Sequence, residues 1–182
     1  MRSHFLFAAA ALLAATPALG AVVVQGNSAA RSCYLAAEAR SLPSPGTLRF
    51  CDVALDREVL TDQEMAATFV NRGILRARLG HLDEAISDYD SALSRNPDEP
   101  EAYLNKGFAL LHLSDSGQEA KPLFDSALEK KTRRPQLAYY GRGVAHELAG
   151  QVRAAYQDYR QASLLDPKWR EPKTELARFK VN

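Results

Sequence analysis

Residues 71–97 read NRGILRARLGHLDEAISDYDSALSRNP, and the pattern they carry returns twice further along the chain. Ala85 recurs as Ala120 and Ala155 at intervals of 35, and Ala92 as Ala127 and Ala162. Tyr89, Phe124 and Tyr159 keep the same interval, while Gly73, Gly107 and Gly143 are spaced by 34 and 36. Pro97 and Pro167 close the first and third units, and in the second the proline is displaced to Pro135 in TRRP. Small residues and aromatics that hold register at a fixed period mark a stack of supersecondary units.

Each unit reads as two helices. The first, AATFVNRGILRARLG (66–80), ends at Gly80, a residue that tolerates the positive φ of a helix C-terminus. The second, DEAISDYDSALSRNP (83–97), opens with acids that suit the N-terminal dipole and stops before a proline. Gly73 falls mid-helix, where glycine costs about 1 kcal/mol relative to alanine. Its return in every unit points to packing: the missing side chain lets the paired helix approach, with Ala85 and Ala92 as the expected small counterparts.

These residues resemble tetratricopeptide repeats. The resemblance rests on NRGILRARLGHLDEAISDYDSALSRNP, NKGFALLHLSDSGQEAKPLFDSAL (105–128) and GRGVAHELAGQVRAAYQDYRQASLLDP (141–167), and it covers about Ala66 to Trp169. It implies an all-α fold, a right-handed α-α superhelix of helical hairpins, with repeats at 66–99, 100–135 and 136–169. The second unit departs from the pattern. Ser114 replaces the inter-helix glycine, a residue is inserted near Ser116 to Gly117, and Pro122 sits in the second helix, where a place in the first turn would suit it.

Residues 22–65 are expected to form a linker and a degenerate helical hairpin, SCYLAAEARSL and GTLRFCDVALDREVL, around the turn PSPG. Its two cysteines, Cys33 and Cys51, read as a disulfide across that hairpin, a staple worth ~3 kcal/mol in the loop-entropy view. At the other end, residues 170–182 read as a charged capping helix, of the kind solenoids need for solubility.

The stretch HLDEAISDYD (81–90) holds one histidine and four carboxylates. A metal site needs three or four converging ligands. Here Asp83 is answered by Gln118 and Arg153, and Asp88 by Leu123 and Asp158, so the acids do not follow the period. They read as the solvated edge of a helix. No serine–histidine–acid spacing or phosphate-binding glycine loop is present. We therefore expect no enzyme, no catalytic residue, no metal site and no cofactor.

The resemblance implies instead that the first helices line a concave binding groove. Val70, Asn71, Ile74 and Arg78 would face it from the first repeat, and Leu104, Asn105, Phe108, Leu111 and His112 from the second. Tyr140, Val144 and Glu147 would face it from the third. Asn71 and Asn105 match an asparagine that relatives use to bond the backbone of a bound peptide. The lysines that clamp an acidic C-terminus are replaced by Val70 and Leu104, so an acidic-tail clamp is not expected. The face is apolar, which suits an apolar peptide or a partner helix. A homodimer through the same face is the alternative, as is cover by the chain's own AVVVQGN (21–27).

The first 21 residues carry Arg2, an apolar run from Phe5 to Ala15, and Pro17 before small residues. That is the plan of a bacterial signal peptide, and the run is short for a membrane span. Cleavage near Gly20 or Ala21 is expected, giving a soluble periplasmic or secreted protein with no integral span. The segment removes Arg2 and no acid, leaving 22 basic against 22 acidic residues. Nucleic-acid binders carry a basic excess, so the expected partner is a protein or peptide.

Overall fold

Helix boundaries fall where side chains satisfy the main chain. In the computed structural model, which describes residues 20–23, 28–39, 41–114 and 117–179, helix α1 (Ala29–Glu38) starts at Ser28, whose Oγ accepts from the Arg31 N–H at 3.1 Å. The carboxylate of Glu58 accepts from Ala29 and Ala30 N–H at 2.7 and 3.2 Å. Glu58 lies just past α2 (Leu48–Arg57), so one acid satisfies orphan donors of α1 and ties the two helices together. The buried Cys33–Cys51 disulfide joins the same pair at a Cα separation of 4.9 Å. Most of the expected signal segment lies outside the described residues, as do the tip of the second repeat's turn and the last three residues.

Helix α3 (Asp62–Arg78) opens on a reciprocal pair. Glu64 N–H donates to Thr61 Oγ1 at 3.2 Å, and Thr61 N–H donates to Glu64 Oε2 at 2.9 Å. The bonds from Thr61 hold the Glu64 carboxyl below its usual range. Gly80 closes α3 at φ +83°, with His81 N–H donating back to Arg76 O at 2.9 Å. Gly150 repeats that closure at φ +72° after α7 (Pro135–Leu148), as the sequence led us to expect.

The remaining elements are α4 (Leu82–Arg95), α5 (Pro100–Ser114), α6 (Gly117–Glu129), α8 (Val152–Leu165) and α9 (Glu171–Arg178). Within units, α3 pairs with α4, α5 with α6, and α7 with α8. Between units, α4 packs on α5 and α6 on α7, while α3 adjoins α5 and α5 adjoins α7. The result is an all-α stack of helical hairpins in which the first helices lie side by side. The α1–α2 pair caps one end against α3, and α9 packs on α8 at the other.

The seam inside each hairpin corrects one expectation. A Cβ placed on Gly73 would lie 2.5 Å from the Tyr89 ring, one on Gly107 2.9 Å from Phe124, and one on Gly143 2.8 Å from Tyr159. The aromatic ring, rather than a facing alanine, fills the space that each glycine leaves. Ala85 and Ala92 are buried in the same seam but do not occupy that space. Phe124 meets a second glycine: a Cβ on Gly141 of the following unit would come within 2.4 Å of its ring.

Pro122 is also displaced from expectation. It is the sixth residue of α6, beyond the first turn, where a proline removes an intrahelical bond. Both Pro122 and Gln118, whose carbonyl loses the bond, are exposed, so water takes the missing donor's place.

Gly73→Ala tests the ring-on-glycine contact. Alanine raises helix propensity by about 1 kcal/mol, but overpacking of this kind costs about 1–3 kcal/mol. Thermal unfolding is expected to show a lower Tm; a higher one would show that the ring yields without cost.

Candidate functional site

The acidic stretch 81–90 divides once its side chains are placed. His81, Asp83, Glu84 and Asp90 are exposed, as expected for a solvated edge. Asp88 is not: it is 2% exposed, and this overturns its reading as surface. Arg72 donates to it through Nε and Nη2, the latter at 2.8 Å, and Arg76 Nη1 lies 2.7 Å from its other oxygen. The third unit repeats the arrangement, with Arg142 donating twice to Asp158 at 2.8 Å. Both pairs are sixteen positions apart in sequence, a signal the acid-by-acid comparison missed.

The same cations reach the preceding unit. Arg72 Nη1 donates to Asp52 of α2 at 2.8 Å, Arg142 Nη1 donates to Asp125 of α6 at 2.7 Å, and Lys106 pairs with Asp90 of α4. Partial burial works against ionisation of Asp125, but bonds from Lys121 and Arg142 hold its carboxyl below the usual range. The Asp158 and Asp125 carboxylates in turn raise the Arg142 guanidinium. These ion pairs are structural clamps between helices. Among the described residues, no three His, Cys, Asp or Glu side chains are placed to hold a metal ion.

The residues assigned to the inner face fall into two buried groups. Val70 and Ile74 belong to the core around α3 and α4. Leu104, Leu111, Tyr140 and Val144 belong to the core around α5 to α8, with Phe108 partly buried against it. Phe108 meets Phe124 edge-on at 5.0 Å between centroids. Tyr140 lies between Tyr159 and Trp169, with centroid distances of 5.5 and 4.9 Å. Glu147 accepts from the Tyr159 hydroxyl at 2.8 Å and pairs with Arg178 of α9. Arg78 donates from Nη1 to Ala39 O at 2.8 Å, and His112 is half-buried.

The two asparagines differ in occupancy. Asn71 holds the main chain of Val22 by both ends: Val22 N–H donates to its Oδ1 at 2.9 Å, and its Nδ2 donates to Val22 O at 2.8 Å. Ala21 and Val22 are buried beneath this contact. Asn105, 34 positions on and 1% exposed, has no hydrogen-bond partner at Oδ1 or Nδ2 among the described residues. Cover by the chain's own residues 21–27, raised above as an alternative, is therefore present at Asn71 for the part of that stretch that is described.

Beside the strand lies a cavity of about 360 Å³ lined by Gly20, Ala21 and Val23 together with Tyr34, Glu38, Glu101, Arg133, Arg134 and Gln136. Sequence reasoning missed all of these helix and loop residues. Glu101 follows Pro100 at a helix start and reads as an ordinary N-terminal acid. It is instead fully buried, accepting from Thr132 Oγ1 at 3.0 Å and from Arg133 N–H at 2.8 Å. Burial, with Glu101 close by, also pushes the Glu99 carboxyl above its usual range.

Comparison with known proteins agrees with this architecture. Residues 70–136 match the family model described as Tetratricopeptide repeat. Over that span the chain resembles the tetratricopeptide repeat. The first TPR domain of human RPAP3 is 26% identical, covers 64% of this chain and 90% of its own length, and superposes with a TM-score of 0.59. The first TPR of Spaghetti (RPAP3), solved bound to the HSP90 peptide SRMEEVD, is 25% identical at a TM-score of 0.60, covering 66% of this chain and 94% of its own. The Arabidopsis OM64 TPR domain, 24% identical, covers 64% and 95% at a TM-score of 0.61 and shows the fold alone.

Asp88→Asn separates scaffold from chemistry in this repeat unit. Removing the charge leaves Arg72 and Arg76 facing a neutral amide, and breaking a buried pair costs about 3–5 kcal/mol. Chemical denaturation is expected to show a loss of that order, with Asp83→Asn within about 0.5 kcal/mol of the parent. Equal stability of the two variants would contradict the clamp.

Proposed function

We propose that this protein is a non-catalytic adaptor of the bacterial cell envelope, holding a protein partner by an extended peptide laid across α3, α5 and α7. The observation that carries the reading is the reciprocal pair between Asn71 and the main chain of Val22. That pair supports, as the ligand, an extended backbone recognised through its amide and carbonyl. Asn105 presents the same carboxamide one unit on, with neither atom partnered. Burying such a group unpaired costs about 1–3 kcal/mol, so a main chain that supplies both bonds is favoured there.

Ile74 and Leu104 are fully buried and set the shape of the floor. Partner contact then falls to the half-buried Phe108 and His112 and to the exposed Leu113 beyond them. The HSP90 peptide held by the Spaghetti domain supports a peptide as the class of occupant. Its acidic character is not carried over, because Val70 and Leu104 stand where clamping lysines would be required.

Export rests on the sequence of residues 1–21 and on the disulfide. The relatives compared include human and plant domains and lend nothing to a bacterial setting. Among the described residues, no helix is long and apolar enough to cross a membrane. Cys33–Cys51 suits an oxidising compartment, where a bridge of this kind forms and persists.

Two measurements test the reading. Asn105→Ala removes an unpaired buried amide, so its Tm is expected to match or exceed the parent, while crosslinked partner recovered from the native envelope falls at least tenfold. Undiminished recovery would remove Asn105 from the site. Intact mass of protein taken from cells without reductant is expected to be lighter than the reduced form by two hydrogens. Equal masses would contradict both the bridge in the cell and the export.

A further inference from the structure

We propose that the Ala21–Val23 strand is an intramolecular ligand of the binding face, which a partner must displace, and that the face selects strands that begin, or carry glycine, beside Glu101. The proposal rests on the peptide-binding reading above and names what occupies that site before a partner arrives.

The strand is seated as a ligand would be. Its central residue, Val22, uses both main-chain groups on Asn71, at 2.9 and 2.8 Å, and both bonds are buried. The side chains of Ala21 and Val22 are 5% and 6% exposed, whereas Val23 points largely to solvent. A small residue, then a β-branched one, thus fill the floor, and the third is half exposed.

The upstream end is sterically defined. A Cβ on Gly20 would fall 2.0 Å from Glu101 Oε2 and 2.7 Å from its Cδ. Glu101 cannot swing aside cheaply, since it is fully buried and its carboxylate accepts from Thr132 Oγ1 and the Arg133 N–H. Position 20 therefore takes glycine, or is left empty by a chain that starts at Ala21. Either product of cleavage around Gly20 fits the site.

Tethering gives the strand its advantage. A segment joined to the same chain competes at an effective concentration of about millimolar, so a free peptide of equal quality binds poorly while the strand is in place. A partner must therefore take over the bonds that Val22 makes with Asn71.

The probe is a synthetic peptide of residues 21–27, AVVVQGN, carrying a C-terminal fluorophore and titrated by anisotropy into the processed protein. Val22→Pro removes the N–H that Asn71 accepts, and Ala21→Asp places a buried carboxylate beside Glu101 and Glu38, which repel it. Both lie outside the helices, and circular dichroism verifies their fold. Each is expected to bind the probe at least tenfold tighter than the parent, with the gain abolished when Asn71→Ala is added. Equal binding by parent and releasing variants would overturn the proposal. So would a parent dimer that Val22→Pro converts to monomer in light scattering, which would mean exchange of strands between copies. Failure of every variant to bind the probe, while partner recovery still depends on Asn105, would overturn the intramolecular ligand and leave the adaptor standing. Loss of both would remove the adaptor reading as well.

Discussion

An aromatic ring laid on a glycine sets the geometry of every hairpin in this stack. Tyr89, Phe124 and Tyr159 each press on a glycine of the paired helix, and the absent Cβ brings the two axes together. Successive helix positions turn by about 100°, so fixing the glycine toward its own partner helix fixes its neighbours too. The residue two places earlier is turned away from that partner, and Asn71 thereby meets the strand. The residue between them, Arg72, Lys106 or Arg142, is directed sideways to the acid of the preceding unit. One packing contact thus aims both the binding residue and the clamp.

The clamps complete what the seam begins. Arg72 and Arg142 each bond an acid within the hairpin and another in the unit before, so each guanidinium joins three helices. Buried charges are costly unless every donor finds an acceptor, and the planar guanidinium fork provides for that where an ammonium would not. In the middle unit Lys106 makes only the backward link, and Leu123 stands where the second acid would fall. Phe124, enclosed by Gly107 and Gly141, supplies the cross-unit contact there instead.

Much of this was legible in the sequence, because repetition exposes packing residues. The period of glycine, alanine and aromatic placed the repeated helices and hairpins, and the cysteine pair around PSPG placed the clipped end. The partner of each glycine was misjudged, since small residues facing small ones is the simpler guess. Asp88 was taken for a surface acid because its counterpart in the second unit is Leu123; its link to Arg72 appears only when pairs, rather than single positions, are compared. Cover of the face by AVVVQGN was one expectation from the sequence, but its seat on Asn71 left no trace there, for a physical reason. Asn71 recognises an amide and a carbonyl that every residue but proline supplies, so nothing in AVVVQGN distinguishes it as a ligand. Glu101 was equally silent, since an acid after a helix-starting proline is common on any surface.

The chain's own main chain loads the asparagine side of the stack at Asn71. Amide hydrogen exchange at Val22, followed residue by residue by NMR, addresses it directly, because that N–H is buried on Asn71 Oδ1 although it lies outside any helix. The account requires Val22 to exchange at least a hundredfold more slowly than in the free AVVVQGN peptide, and to lose that protection in Asn71→Ala while helix amides keep theirs. Exchange at the free-peptide rate in the parent protein would contradict it.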